Sequence, residues 1–159
     1  MRMRVKAMVL AGAVLGAVSS AQATSTPKPT VAEKLVALYV PIQEALAGDS
    51  VTAVMEQAAA IALKAAEAVS SGGDKALYGP IEAAARGLKA TDIDGLRNQF
   101  KSLSLALAHL VEKVAVAGHG IYYCPMADAY WVQKSGAVKN PYYGSKMLGC
   151  GEAVAKVAD

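Results

Sequence analysis

The chain has 159 residues, of which 54% are hydrophobic and 18% charged. That is enough apolar material for one compact domain and too much for a disordered chain. Its formal net charge of +3 rests on Arg2, Arg4 and Lys6; the rest of the chain carries 13 basic and 13 acidic residues, which excludes a basic nucleic-acid footprint or a polybasic membrane patch.

Those three cations open an export signal. MRMRVK is a basic n-region, AMVLAGAVLGAV an apolar run, and SSAQA a small-residue end with Ala21 and Ala23 at the positions a signal peptidase reads. Cleavage after Ala23 is expected. The apolar run is too short to span roughly 30 Å of hydrocarbon as a helix. Residues 1–23 are therefore read as a signal peptide, and the mature protein as periplasmic, without membrane insertion, in a compartment that permits disulfides.

Residues 24–29 read as a flexible Ser/Thr/Pro linker, and residues 30–159 as a single helical domain. Thr30 with Glu33 forms a capping-box pattern, and Leu35, Leu38, Ile42 and Leu46 follow at helical spacing to Gly48. Pro41 lies inside this run and is expected to kink or restart it. Asp49 or Ser50 should cap a second, alanine-dense helix to about Val69, which Gly72 and Gly73 break. Gly79-Pro80 should start a third helix, with Pro at its first position, ending near Lys89. Thr91 or Asp92 should cap the longest helix, whose seam is Ile93, Leu96, Phe100, Leu103, Leu107, Leu110 and Val114. With no strand alternation before Gly118, the expected fold is all-α: an up-and-down four-helix bundle over residues 30–117, with an irregular aromatic, Cys/Met-rich segment over 118–159 packed on it.

Chemistry concentrates in that segment. Tyr122, Tyr123, Tyr130, Tyr142 and Tyr143, the single Trp131 and both cysteines fall between Ile121 and Gly151. The bland reading of the aromatics is packing on the bundle. Cys124-Pro125-Met126 and Met147-Leu148-Gly149-Cys150 place a thiol and a thioether at each end. Thiolates and thioethers are soft donors that select Cu(I), and by the same softness Ag(I). If the chain folds Cys124 against Cys150, four sulfurs gather, with Trp131 near enough in sequence to cap the ion through its indole face. The competing reading is a Cys124–Cys150 disulfide, common in exported proteins, which would stabilise the fold by roughly 3.5 kcal/mol in the chain-entropy model. Residue chemistry alone leaves both open. His119, between two glycines, is a candidate additional ligand; His109 reads as a flank of the longest helix. Both histidines with both cysteines could make a zinc site, but their spacing matches no finger. Gly-rich phosphate loops, Cys-x-x-Cys, HExxH and GxSxG are absent from the sequence, so catalysis is not expected.

The stretch CPMADAYWVQ…VKNPYYGSKMLGCGEAV resembles a bacterial family of domains of unknown function. The family occurs in small exported proteins and fused to periplasmic adaptor subunits of copper, silver and other heavy-metal efflux pumps. The matching residues are Cys124, Pro125, Met126, Ala127, Trp131, Asn140, Pro141, Tyr142, Gly144, Met147, Leu148, Cys150 and Gly151. Upstream, Arg97, Phe100, Leu103 and Ser104 match the family's Arg-x-x-Phe-x-x-Leu-Ser helix, and Tyr39 to Leu46 its opening helix. Two departures are a shorter loop between Met126 and Trp131 and the proline at 41. The resemblance implies a helical domain with a metal-related role, a copper(I) or similar soft ion as ligand, and a periplasmic efflux adaptor as partner. It tilts the sulfur residues toward coordination, since a structural bridge alone requires neither methionine. The rival is a non-catalytic interaction module stapled by Cys124–Cys150; a redox-responsive switch on the same pair is the third reading.

Overall fold

A computed structural model describes residues 28–157. The expected signal peptide, its cleavage site and most of the linker lie outside the described residues. Four helices come first: α1 (Val31–Ala47), α2 (Val54–Ser70), α3 (Lys75–Gly87) and α4 (Ile93–Lys113). Each packs on the next, as in a bundle.

The all-α expectation is wrong. After α4 the chain forms β1 (His119–Cys124), β2 (Ala129–Lys134) and, past an irregular stretch with one 3₁₀ turn at Gly144–Lys146, β3 (Glu152–Val154). These make an antiparallel sheet of order β2-β1-β3, in which Tyr122 faces Trp131 and Ala153, and Tyr123 faces Tyr130 and Glu152. The stretch past Gly118, punctuated by glycine and proline, reads as irregular, and the hairpin's centre shows no alternation because it is buried on both faces: Ile121, Tyr122, Cys124, Trp131, Val132 and Gln133 are all inside. A strand covered on two sides shows a continuous apolar run rather than a period of two. Its aromatic and β-branched content was the remaining strand signal.

Thr30 and Glu33 close the capping box on α1. The helix then runs through Pro41 without a break. Pro41 and Ala37, whose carbonyl loses its donor, both face solvent, where water replaces the missing bond. Meanwhile Leu35, Val36, Tyr39, Ile42 and Leu46 anchor both halves in the core. Neither Asp49 nor Ser50 caps α2. Asp49 is drawn into a tertiary ion pair, so α2 starts at Val54, after Ala53 in a left-handed conformation with no side-chain cap. The third helix begins at Lys75 rather than at Pro80, because Asp74 accepts from the Ala76 amide and caps it there. On α4, Asp92 is the cap, and Leu96, Phe100, Leu103, Leu107 and Leu110 are buried as the seam requires; Ile93 is only half-buried, and Val114 falls past the helix end and is exposed.

The sheet is seated on α4 and α1 through β2. Tyr39 on α1 stacks on Phe100 of α4 at 5.0 Å. Its hydroxyl is 2.7 Å from Ser104 Oγ and accepts from the Val132 amide of β2 at 3.3 Å. One buried hydroxyl thus joins two helices to a strand.

Candidate functional site

Cys124 ends β1, and the turn Pro125-Met126-Ala127-Asp128 leads into β2. Cys150 stands just before β3, in a turn closed by its amide on the Met147 carbonyl. Pairing β3 alongside β1 brings these turns together, and the two Sγ atoms lie 3.0 Å apart, both as free cysteines. Cys124 is completely buried and Cys150 half-buried.

Their environments differ in kind. Burial pushes the Cys124 thiol up, but the Cys150 thiol, the amides of Ala127 and Met126 and the Asn140 side chain all donate toward it, leaving its pKa below the ordinary thiol value. Cys150 moves the other way: its role as donor to Cys124 raises its pKa, and partial burial adds to the effect. The shared hydrogen bond therefore eases ionisation at Cys124 and opposes it at Cys150.

A scaffold of buried polar residues fixes this arrangement. Asn140 donates from Nδ2 to the Cys150 carbonyl at 2.7 Å, and its Oδ1 accepts from the amides of Tyr142 and Tyr143. Its own amide donates to the Leu148 carbonyl. Arg97 on α4 donates to the Pro141 carbonyl at 2.9 Å, to the Leu46 carbonyl at 2.7 Å and to Asp49 Oδ1 at 2.7 Å. Asp49 Oδ2 in turn accepts from the Ser145 amide, and Ser145 together with Arg97 holds the Asp49 carboxyl well below the usual carboxylate range. Gln43 donates to the Lys139 carbonyl and Lys101 to the Ala127 carbonyl, each at 2.6 Å. Two glycines permit the fit. At Gly144 (φ +56°) a Cβ would overlap Asp49 and the Arg97 guanidinium; at Gly151 (φ +130°) it would sit 2.5 Å from the Trp131 ring and 2.9 Å from the Tyr123 carbonyl.

The structure brings Cys124 and Cys150 together but not every other residue singled out by the sequence. Met126 is 65% exposed and lines a recess of about 250 Å³ with Asp94, Lys101 and Tyr143, to which neither cysteine contributes. Met147 is half-buried at the end of the 3₁₀ turn. Trp131 is fully buried, stacked on Tyr122 at 5.6 Å, edge-on to Tyr142, and bonded from Nε1 to Gln133 Oε1. His119 opens β1, its Nδ1 paired with the Ala117 carbonyl; it stands five strand steps, roughly 16 Å, from Cys124. His109 faces Glu112 on α4. Among the described residues no group of three or more His, Cys, Asp or Glu side chains could hold a metal ion. The two sulfurs that do meet would suit a two-coordinate soft cation rather than zinc, which takes four ligands in structural sites. Two sulfurs bound on opposite sides of a two-coordinate ion at about 2.3 Å each stand about 4.6 Å apart, so the pair would open by about 1.6 Å from its 3.0 Å to admit one. Sequence reasoning missed Asp49, Gln43 and Gln133, which no motif marks.

No family model matches the chain, and no curated protein or solved structure matches it either.

Proposed function

We propose that this chain is an exported, non-catalytic binder of a soft monovalent ion, Cu(I) or Ag(I), held between Cys124 and Cys150 and used in heavy-metal tolerance or delivery to a periplasmic efflux adaptor. The observation that carries the reading is the 3.0 Å approach of two unbridged thiols whose hydrogen bonds favour a thiolate at Cys124. Thiolate sulfur is the donor such ions prefer. Met126 and Met147 stand two and three residues from Cys124 and Cys150, and a thioether is a soft donor of the kind such ions accept. The leader-like residues 1–23 and the resemblance to domains attached to efflux adaptors support the compartment and the partner.

The same approach of sulfurs favours one other reading, a Cys124–Cys150 bridge that staples an interaction module. The two are separated by titrating Cu(I), in the presence of a chromophoric chelator, into protein made in the periplasm and fully reduced. The metal reading expects stoichiometric withdrawal of Cu(I), lost in Cys124→Ser/Cys150→Ser and weakened in Met126→Ala/Met147→Ala. A folded, reduced protein that withdraws no Cu(I) would overturn it.

A further inference from the structure

The two sulfurs are close but unequal. Cys124 has no solvent-exposed surface, lies in the main hydrophobic core and receives hydrogen bonds from the Met126 and Ala127 amides and from Asn140. Cys150 is half-buried, between Gly149, around which nothing would meet a Cβ, and Gly151; Leu148 beside it is 40% exposed. A molecule arriving from solvent reaches Cys150 and finds Cys124 directly behind it.

We propose that Cys150 is a thiol-exchange site: an external thiol or disulfide of the glutathione or thiol-oxidoreductase class engages the chain at Cys150, and Cys124 is the resolving sulfur. The proposal rests on the pair used in the proposed function but needs no metal.

In the oxidising direction Cys150, the sulfur that faces solvent, gives up its proton to water as it attacks an external disulfide RSSR. A Cys150–SR mixed disulfide forms, and RS⁻ leaves with the electron pair of the broken bond. The Cys124 sulfur then attacks Cys150 Sγ; the Cys124–Cys150 bond forms and a second RS⁻ departs. The protein loses two thiol protons and two electrons, and RSSR becomes two RSH. From 3.0 Å, bond formation at about 2.05 Å needs only about 1 Å of movement. In the reducing direction an external thiolate attacks Cys150, the Cys124–Cys150 bond breaks, and its electron pair goes to Cys124. A second external thiolate releases Cys150 as RSSR forms. Such a bridge opens and closes reversibly and governs whether two thiolates are free for a metal.

The test adds oxidised glutathione to metal-free, reduced protein and follows intact mass. Wild type is expected to close to the form two hydrogens lighter with little accumulated adduct. Cys124→Ser should accumulate one glutathionyl group, and Cys150→Ser should react roughly tenfold or more slowly, because burial denies access to Cys124. Comparable rates in the two variants would overturn the proposal. A measurement on wild type alone stands beside it: after an early acid quench, the glutathionyl group is expected on the peptide containing Cys150, and finding it on that containing Cys124 overturns the assignment. Because no metal is present, this result and the Cu(I) titration can fail independently.

Discussion

Replacing Gly144 with alanine tests the idea that an ion pair in the helical layer holds the cysteine-bearing loop. Gly144 has φ +56°, a left-handed conformation that costs an alanine roughly 1–2 kcal/mol. Its Cβ would also overlap Asp49 Oδ1 and Arg97 Nη2 and lie 2.7 Å from Asp49 Cγ. Arg97 cannot easily yield, because its other donors are fixed on the Pro141 and Leu46 carbonyls and its side chain is only 10% exposed. Crowding of this kind costs about 1–3 kcal/mol, for a total of about 2–5 kcal/mol, or a fall in Tm of about 6–15 °C. Urea unfolding followed by far-UV circular dichroism measures it. Gly118→Ala supplies the control, since Gly118 also has positive φ (+74°) but nothing within 4 Å of its Cβ. The excess of Gly144→Ala over Gly118→Ala is the steric part, and it should shrink in an Asp49→Ala background. Equal losses at the two glycines would refute the claim that the ion pair fills this space.

Three further outcomes follow from the same geometry. Tyr39→Phe leaves Ser104 Oγ and the Val132 amide without their shared partner; it should cost about 1–3 kcal/mol in urea unfolding and speed hydrogen exchange at Val132. Gly151→Ala pushes Trp131 and the Tyr123 carbonyl away from the chain beside Cys150; thiol oxidation should slow while helical circular dichroism is unchanged, and an unchanged closure rate would contradict it. Asp49 titrates below its ordinary value of 3.8 in the folded chain, so its stabilisation is complete above that value and lost as pH falls through the lowered one. Wild type should therefore lose more urea resistance than Asp49→Asn between neutral pH and about pH 3.

The helical half was largely legible because its signals are local. The seam of α4 repeats in steps of three and four, and the caps at Thr30 and Asp92 act on amides within three residues. The same logic failed where tertiary partners compete for a residue. Asp49 looks like a helix cap, but Arg97 and the Ser145 amide, far along the chain, take its carboxylate. Pro41 looks like a breaker until its carbonyl partner is known to face water. The hairpin stayed hidden because burial on both faces removes alternation. At the site, Cys124 and Cys150 were legible as a pair from their chemistry alone. Trp131, placed near them by sequence proximity, proves to hold the backbone at Gly151 from inside the core.

What the buried polar residues do bears on the choice between a permanent staple and reversible chemistry. Gln43, Arg97, Ser104, Gln133 and Asn140 are the buried polar or charged residues among those described. Gln43 and Arg97 bind carbonyls at Lys139 and Pro141; Gln133 bonds the Ala137 carbonyl and the Lys139 amide; Asn140 bonds the Cys150 carbonyl; Ser104, through Tyr39, reaches β2. The stretch between β2 and β3 has almost no ladder of its own, and its backbone is satisfied instead by these side chains. A bridge that stabilised mainly by restricting the unfolded chain would not need its two sulfurs positioned before it formed. Here they are positioned by hydrogen bonds that are present with the bridge open, so the geometry of the pair does not depend on a bond between the sulfurs.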